Sequence, residues 1–492
     1  MVNRLKKQID NFINSENHAP YLAALISGLT PMLFYYANNY WAVNSWSHLL
    51  FFSLVFIGSS FLIYTLLYLV FAKNQKFKKN TKYLLLIVLL CAVFVFLSHT
   101  FFVSPLKRIV LITGLVVLGL FFWKRPKKNY KKVIIFLFFF SSLSFFRVIV
   151  HLYEDVKPEY WTRQDDDIMD VKFKSSPNIY LIQPDGYVSQ STLEKSPYDF
   201  KSDLYLWLEQ NEFKVYDNFR SNYPASLTSN ASLFAMKQHK FANMLFPEIE
   251  MANAREVIST SNPVASIFKN NNYTTYFIAQ DEYFQQNRKQ QAFDYFNIAL
   301  DDFPFYSKGD EEVRDVFVDL KLAMKHQNEN PKFFFIEKLL PHHVGFPKID
   351  DVIIKERNRY NERIEDVNTW LKSTISYITD KDENSIIIIL ADHGGWVGLK
   401  SFNDLYSNTE TELINSTFSN IAAIKWNGNL EQDYDKDLKT NVNLFRVLFS
   451  ALSKDKKYLK HLEDDSSYNL RLNSFGFKSV EKLINDQGDI LN

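Results

Sequence analysis

Long apolar runs separated by short polar connections fill the first third of the chain. Five such runs follow one another, at residues 21–36, 48–72, 83–103, 109–123 and 133–152. A helix needs about 20 apolar residues to cross the hydrocarbon core of a bilayer, and the second, third and fifth runs reach that length unaided. The first reaches it if Asn38 and Asn39 lie at the interface, and the fourth if its flanking Lys and Arg side chains snorkel. The pattern predicts a membrane bundle of five transmembrane helices within residues 1–152.

From about residue 175 the pattern changes to short β-rich runs that alternate with helical stretches. Strands are predicted at 178–183, 214–219, 273–279, 332–338, 385–391 and 419–426, and helices at 203–213, 232–240, 311–325, 354–378 and 441–452. Strands that alternate with helices indicate an α/β domain with a mainly parallel sheet sandwiched by helices. We expect this domain to occupy residues 176–492.

The polar segment 153–175 between the two regions is predicted to be a linker. It contains three consecutive aspartates at residues 165–167. Such a triplet is typical of a solvated linker face, and a calcium-binding loop is the alternative.

Charge is distributed unevenly between the two regions. Residues 1–150 hold 17 Lys and Arg against two acidic side chains, about +15, so the remainder carries about −14 and the net charge is only +1. Fourteen of the basic side chains lie in the N-terminal segment, in the connection between the second and third runs, and in the connection between the fourth and fifth runs. The connections on the other side of the membrane hold only two, Lys107 and Arg108, both between the third and fourth runs. Because Lys and Arg favour cytoplasmic loops, we expect a cytoplasmic N-terminus, with everything after residue 152 outside. We interpret these basic runs as determinants of membrane topology rather than as a patch that binds nucleic acid.

Two features of the composition exclude whole classes of protein. The 45 Phe and 27 Tyr exclude a disordered or collagen-like chain, which lacks apolar bulk. The single cysteine, Cys91, excludes an intrachain disulfide framework and a cysteine-based zinc site.

Carboxylates and imidazoles follow three of the predicted strands. Asp185 follows the first strand, His342 and His343 follow a phenylalanine-rich strand, and Asp392 and His393 follow the most apolar one. Taken singly, such residues are more often turn, cap or structural residues. Since chemistry in open parallel sheets gathers beyond the carboxyl ends of the strands, together they predict an oxygen and nitrogen ligand set suited to Zn²⁺ or Mn²⁺.

A hydroxyl-rich segment at residues 222–236 offers a nucleophile. Ser226, Thr228 and Ser229 lead into an apolar helical stretch. A hydroxyl at a helix N-terminus lies near oriented N–H groups, which favour an anion such as phosphate. Plain N-capping of the helix is the alternative interpretation.

The order of these motifs resembles the sulfatase-like branch of the alkaline phosphatase superfamily, especially membrane-anchored lipoteichoic acid synthases and lipid A phosphoethanolamine transferases. Those proteins also carry about five N-terminal crossings before an extracytoplasmic α/β domain. The resemblance implies an alkaline phosphatase-like fold, metal ligands at Asp185, Ser226, Asp392 and His393, and catalytic roles for Ser226 and His342. His343, Trp396 and Ser229 are the implied substrate contacts.

The chain also departs from the family pattern. Ser226 stands where the family has Thr, with Thr228 as the alternative nucleophile, and either His342 or His343 could face the site. The Cys/Ser-x-Pro-x-Arg signature that precedes formylglycine in true sulfatases is absent around Ser226. Its absence argues against sulfate ester hydrolysis.

The resemblance implies a multi-pass enzyme of a bacterial inner membrane, with its catalytic domain periplasmic or extracellular. It would use Mn²⁺ or Zn²⁺ to move a phospholipid headgroup, phosphoglycerol or phosphoethanolamine, through a phosphoseryl intermediate. The implied partners are the bilayer, a phospholipid donor and an envelope glycan or lipid-linked acceptor, and no nucleic acid. Two alternatives stay open: a hydrolase that uses water as acceptor, and a non-catalytic envelope-assembly protein.

Overall fold

The structure is a computed structural model. It describes residues 2–17, 19–72, 126–157, 160–286, 291–303, 305, 313–327, 329–428, 434–473 and 478–491, with isolated residues between 109 and 117. The chain divides into two compact units, Met1–Val156 and Lys157–Asn492.

The first unit is helical in its described residues. Its helices are α1 (Val2–Asn14), α2 (Pro20–Asn38), α3 (Tyr40–Val43), α4 (Trp46–Phe52), α5 (Ser59–Ala72) and α6 (Pro126–Val156), with a π-helical stretch, Ser53–Gly58, between α4 and α5. Hydroxyls connect neighbouring helices: Thr30 Oγ1 lies 2.8 Å from Ser141 Oγ, and Ser27 Oγ lies 3.3 Å from the Tyr64 hydroxyl. Such pairs satisfy polar groups in an apolar helix bundle.

Two helical stretches among the described residues are long and apolar enough to cross a membrane. One is Trp46–Val70, of 25 residues, and the other is Lys128–Thr162, of 35 residues, which includes most of α6. They carry the second and fifth predicted runs. The first run lies in α2, the third lies outside the described residues, and the fourth is described only at isolated positions. The full set of five crossings therefore stays a prediction.

A seven-stranded mixed sheet forms the centre of the second unit. Its strands are β1 (Ile179–Pro184), β2 (Lys214–Val215), β3 (Thr274–Ile278), β4 (Tyr295–Phe296), β5 (Lys332–Lys338), β6 (Ile386–Leu390) and β7 (Ala422–Lys425). The order is β2-β7-β6-β1-β5-β3-β4. The five adjacent strands from β6 to β4 run parallel, as predicted, whereas β7 runs antiparallel to both its neighbours.

Nine α-helices surround this sheet in the described part of the unit. They are α7 (Gln190–Leu193), α8 (Leu204–Gln210), α9 (Ser226–Ala235), α10 (Pro263–Asn270), α11 (Val316–Met324), α12 (Val352–Lys381), α13 (Asp404–Ser407), α14 (Thr411–Phe418) and α15 (Leu444–Ser453). An antiparallel pair, β8 (Ser467–Leu472) and β9 (Lys478–Ile484), stands apart from the sheet. Both of these strands, and β4, were missed by the sequence pattern.

Helices cover both faces of the sheet because successive side chains of a strand point to opposite faces. On β5, Phe334 packs into the hydrophobic cluster to which α12 contributes. Its neighbours Phe333 and Phe335 face the other way, with ring centroids 4.1 Å from Phe268 of α10 and 4.9 Å from Phe234 of α9. The predicted sandwich of a sheet between helices is therefore present.

The start of α9 differs from the prediction. The helix begins at Ser226, six residues before the predicted start at 232, and Leu227–Ala235 are all buried. A helix packed on every side has no solvent-facing stripe, so its small polar residues resembled a loop. It ends where Met236 takes a left-handed conformation with φ +54°.

The three aspartates of the predicted linker pair with cations of the second unit. Asp165 contacts Lys237, Asp166 lies 2.8 Å from Arg446, and Asp167 lies 2.7 Å from Lys457. Arg446 and Asp166 are both buried side chains. The triplet thus attaches its own segment to the unit.

Candidate active site

The strand order places the predicted site residues at one edge of the sheet. Asp185 directly follows β1, and Asp392 and His393 lie just beyond β6. His342 lies four residues beyond β5. Because β6, β1 and β5 are adjacent and parallel, their carboxyl ends meet at the same edge. Segments that are far apart in sequence are brought together in this way.

Two carboxylates and one imidazole form a compact cluster. Ligand atoms of Asp185, Asp392 and His393 all lie within 4.8 Å of one another, and all three residues are buried. His393 Nε2 lies 3.5 Å from Asp185 Oδ1 and 3.5 Å from Asp392 Oδ2. The cluster is the one group of three or more His, Cys, Asp or Glu in metal-binding proximity among the described residues.

Ser226 is the hydroxyl next to this cluster. It is the first residue of α9, and its Oγ lies 3.2 Å from His393 Nε2. The alternative nucleophile, Thr228, is fully buried and donates its hydroxyl hydrogen bond to the carbonyl of Ala225 at 2.9 Å. Of the two, the described geometry brings only Ser226 to the carboxylates and the imidazole.

Hydrogen bonds fix which nitrogen of His393 faces the site. Nδ1 lies 2.7 Å from the carbonyl oxygen of Gly394, which can only accept. Nδ1 therefore carries the hydrogen, and the lone pair of Nε2 points towards Ser226 and the carboxylates. A neutral imidazole in this orientation is suited to a metal ion or a proton.

Backbone groups hold Asp392 in place. Its Oδ1 accepts from the N–H of Gly186 at 3.1 Å and from the N–H of His393 at 3.0 Å. Its carbonyl accepts from Ser229 Oγ at 2.6 Å and from Asn441 Nδ2 at 3.1 Å. The hydroxyl of Ser229 is thus engaged by the Asp392 loop, although the resemblance implied a substrate contact.

The two consecutive histidines lie in different environments. His342 has φ +61°, donates its backbone N–H to the Asp185 carbonyl at 2.8 Å, and contacts the Asp185 carboxylate through Nδ1. His343 stacks on Trp396, with ring centroids 3.8 Å apart. Trp396 is buried and donates its indole N–H to the carbonyl of Pro224 at 3.0 Å, two residues before Ser226. Trp396 therefore holds the segment that leads into α9.

The charges of these groups depend on one another. Burial alone would raise the pKa of Asp185, but His342 and the other two imidazoles hold it well below its usual range. Burial alone would lower the pKa of His342, whereas Asp185 holds it above its ordinary value. Burial, with His342 nearby, lowers the pKa of His343 to about 3. Burial raises the pKa of Asp392, His393 opposes that effect, and Asp185 adds to it. Two buried carboxylates that compete for positive charge are suited to a cation.

The donor atoms fit a divalent metal. Asp185 Oδ1 is buried and has no hydrogen-bond partner in the described part of the chain. An unsatisfied buried acceptor costs about 1–3 kcal/mol, which a cation would offset. Two carboxylates, an imidazole nitrogen and a hydroxyl match the ligands that Zn²⁺ or Mn²⁺ takes in proteins.

Sequence reasoning missed two supporting residues. Asn441 bridges Ser229 Oγ, at 3.3 Å, and the Asp392 carbonyl. Tyr360 of α12 donates its hydroxyl to the carbonyl of Gly186 at 2.8 Å. Asn441 resembles an ordinary helix cap and Tyr360 an ordinary core residue, so local sequence carried no signal for either.

The chain is similar to one protein family and to several solved structures. The family model described as Sulfatase matches residues 205–452. Integral membrane lipooligosaccharide phosphoethanolamine transferase A from Neisseria meningitidis is 13% identical over 88% of this chain and 95% of that chain, with a TM-score of 0.43. The C-terminal periplasmic domain of EcEptC from Escherichia coli is 12% identical over 63% and 93%, with a TM-score of 0.42. The lipoteichoic acid synthase LtaP from Listeria monocytogenes is 14% identical over 66% and 91%, with a TM-score of 0.40. No curated protein sequence matches the chain.

Proposed function

The chain belongs to the sulfatase family, and from that premise we propose that it is a metal-dependent membrane phosphotransferase. It moves the headgroup of a phospholipid, phosphoglycerol or phosphoethanolamine, onto an envelope glycan through a phosphoseryl intermediate. One observation carries the proposal: the Ser226 hydroxyl lies 3.2 Å from His393 Nε2, beside two buried carboxylates.

The choice of phosphate over sulfate rests on the residues around the nucleophile. The sequence from Ser226 is Ser-Leu-Thr-Ser-Asn, which lacks the Pro and the Arg of the Cys/Ser-x-Pro-x-Arg signature that precedes formylglycine. An ordinary serine hydroxyl can form a stable phosphoester and release it to a second alcohol. A phosphodiester is therefore the substrate class that this site suits.

Asp185, Asp392, His393 and the Ser226 hydroxyl are the residues that would hold a divalent cation, Mn²⁺ or Zn²⁺. When bound, such an ion lowers the pKa of a coordinated hydroxyl and stabilises charge on phosphoryl oxygens. The N-terminus of α9 adds its own N–H groups at the same place.

The first chemical step transfers the phosphoryl group to Ser226. The bond between Ser226 Oγ and phosphorus forms, the bond between phosphorus and the lipid oxygen breaks, and Ser226 gives its proton to solvent. His342, whose pKa is raised above its ordinary value because Asp185 outweighs the effect of burial, donates a proton to the departing lipid alcohol.

The second step reverses these roles. A hydroxyl of the acceptor attacks the phosphoserine and passes its proton to His342, which is neutral after the first step. The Ser226 oxygen departs and takes a proton from solvent, so that both residues return to their starting states. His343 is neutral, as its pKa of about 3 requires, and contacts the headgroup in our proposal. Trp396 and Ser229, the other two implied substrate contacts, act on the headgroup by holding the Pro224 segment and the Asp392 loop around it.

The helical first third has a purpose in this scheme. We propose that residues 1–152 anchor the chain by five helices, with the N-terminus cytoplasmic and residues 176–492 outside a bacterial inner membrane. Attachment to the bilayer confines the site close to lipid headgroups and so raises the effective concentration of a phospholipid donor.

The test compares Ser226→Ala with Thr228→Ala in the full-length chain. Incubation with a phospholipid labelled in its headgroup should give transfer to envelope glycan with Thr228→Ala and none above background with Ser226→Ala. Mass spectrometry should find the headgroup phosphate on the Ser226 peptide of the unsubstituted protein. Undiminished transfer by Ser226→Ala would refute the assignment, and release of label to water with glycan present would identify a hydrolase instead.

A further inference from the structure

A polar cavity lies in the unit Lys157–Asn492, lined by residues other than those of the candidate active site. It has a volume of about 510 Å³, within the range of roughly 300–1,000 Å³ that is typical of small-ligand sites. Four segments line it: residues 189–196 around α7, residues 218–220, α14 with Ser419, and the turn at 484–489. Its lining holds five hydroxyl side chains, three amides, two cations and two carboxylates.

The floor of this cavity is a connected set of hydroxyls. Ser419 Oγ lies 2.6 Å from Ser189 Oγ and 2.8 Å from Thr192 Oγ1. Ser189 and Ser419 are only 5% and 8% exposed. Because their partners fix these hydroxyls, the floor presents an ordered array of donors and acceptors.

Arg220 supplies a buried donor with which no described residue pairs. The residue is 8% exposed, and its Nη2 donates to the carbonyls of Asp465 at 2.8 Å and Asn485 at 3.1 Å. Its Nε is buried and has no hydrogen-bond partner among the described residues. An unpaired buried donor costs about 1–3 kcal/mol, so a ligand or water that pairs with it would bind favourably.

The charges of the lining exclude a simple anion site. Lys195 and Arg220 are balanced by Glu412 and Asp489. The carboxylates would repel phosphate, whereas they accept hydrogen bonds from hydroxyl groups. A neutral molecule with many hydroxyls matches this mixture of donors and acceptors, with Phe219 and Ile484 as the apolar part of the wall.

We propose that this cavity binds a neutral sugar segment of a glycan, of about the size of a disaccharide. Ser189 follows Asp185 by four residues, at most about 14 Å of extended chain. A Cβ on Gly394 would lie 3.0 Å from the Ser419 carbonyl oxygen. The segment after Asp185 therefore continues into the cavity lining, and the loop of Asp392 and His393 packs against Ser419 of that lining. That the cavity binds the glycan acceptor of the transfer reaction rests on the proposed function. That it binds a sugar does not.

Saturation-transfer NMR on the full-length chain tests the binding directly. The chain is placed in lipid nanodiscs, since maltoside detergents themselves carry a sugar, and is titrated with maltose, cellobiose, gentiobiose and trehalose. At least one disaccharide should bind saturably. Asn415→Trp, which fills the cavity from an exposed position of α14, should weaken that binding at least tenfold. Thr411→Trp, on the same helix and outside the lining, should leave it unchanged.

Further variants make each outcome decisive. Gln487→Ala removes a lining amide without adding bulk and should weaken binding several-fold, so it replaces Asn415→Trp if that variant is unstable. Absence of saturable binding by all four sugars, or equal affinity in the lining variants and Thr411→Trp, overturns the proposal. Saturable binding of inorganic phosphate that Asn415→Trp abolishes and Thr411→Trp leaves unchanged would also overturn the proposal. Ser226→Ala should keep sugar binding while losing transfer, which separates failure of this site from failure of the proposed function.

Discussion

At the residue scale, the direction of a side chain decides which hydroxyl can react. Ser226 and Thr228 lie two positions apart on α9, yet only the first is directed at His393, at 3.2 Å. Thr228 Oγ1 returns to the carbonyl of Ala225 at 2.9 Å. Residues two apart on a helix do not share a face. Because the helix begins at Ser226, its geometry directs Ser226 and Thr228 to different sides, and only Ser226 can act as the nucleophile.

Asp185 offers the residue-scale prediction. Asp185→Asn removes the charge of the carboxylate whose Oδ1 has no partner in the described structure. We expect the bound Mn²⁺ or Zn²⁺, measured by mass spectrometry of the purified chain, to fall from about one ion per molecule to near zero. Metal at 100 times its dissociation constant should stabilise the unsubstituted protein by about 2.7 kcal/mol, and the variant much less.

The matched control for that prediction is Glu194→Gln. Glu194 is an exposed carboxylate that bonds only to Gln190 in the described structure. It should keep both the metal content and the metal-dependent rise in melting temperature. Equal metal content in Asp185→Asn and Glu194→Gln would contradict the assigned ligand set.

At the scale of elements, the site depends on loops that pack closely behind the strands. β6 ends and the chain turns through Asp392, His393 and two glycines. A Cβ on Gly394 would lie 2.2 Å from the carbonyl oxygen of Ser416, and one on Gly395 would lie 2.4 Å from the ring of Tyr360. These glycines are therefore required by the approach of neighbouring elements.

Gly394→Ala is the corresponding element-scale prediction. Because the obstacle is a backbone carbonyl, the loop after β6 must shift, and overpacking of this kind costs about 1–3 kcal/mol. We expect a lower melting temperature and weaker metal binding, measured by thermal unfolding with and without Mn²⁺. Gly345→Ala is the control, since the nearest atom to its Cβ would lie at an ordinary 3.5 Å. Equal losses in both variants would show that the close packing behind the loop is not the cause.

At the scale of the whole molecule, charge and hydropathy divide the chain in the same place. The apolar and basic part ends near residue 152, and the compact units divide at Val156 and Lys157. Two described stretches are long and apolar enough to span a membrane. The proposed transfer of a lipid headgroup outside the cell requires the second unit to lie on the outer side of the membrane.

Cysteine labelling tests that orientation. The chain has one cysteine, Cys91, so Cys91→Ser gives a background without thiols. We expect a membrane-impermeant maleimide to label Asn408→Cys in intact cells, because Asn408 belongs to the second unit. Asn3→Cys should be labelled only after lysis. The reverse pattern would place the catalytic unit in the cytoplasm and contradict the proposed topology.

The sequence by itself determined the class of each region and the residue types of the site. Long apolar runs indicate membrane helices because the bilayer core has a fixed thickness. The strands β1, β3, β5 and β6 were predicted within about one residue at each end, because buried parallel strands are short apolar runs. Asp185, Asp392 and His393 were identified as a set by their positions after such strands and by the family resemblance.

Only the tertiary structure decided how these pieces meet. The antiparallel direction of β7, the early start of α9 and the division of roles between His342 and His343 depend on contacts between distant segments. The same holds for Asn441, for Tyr360 and for the cavity beside Arg220. The local sequence pattern shows which positions are apolar and at what spacing they recur, because burial in the core requires apolar side chains at those positions. Which neighbour a polar side chain meets is set by chain crossing and packing, and these leave no periodic mark in the sequence.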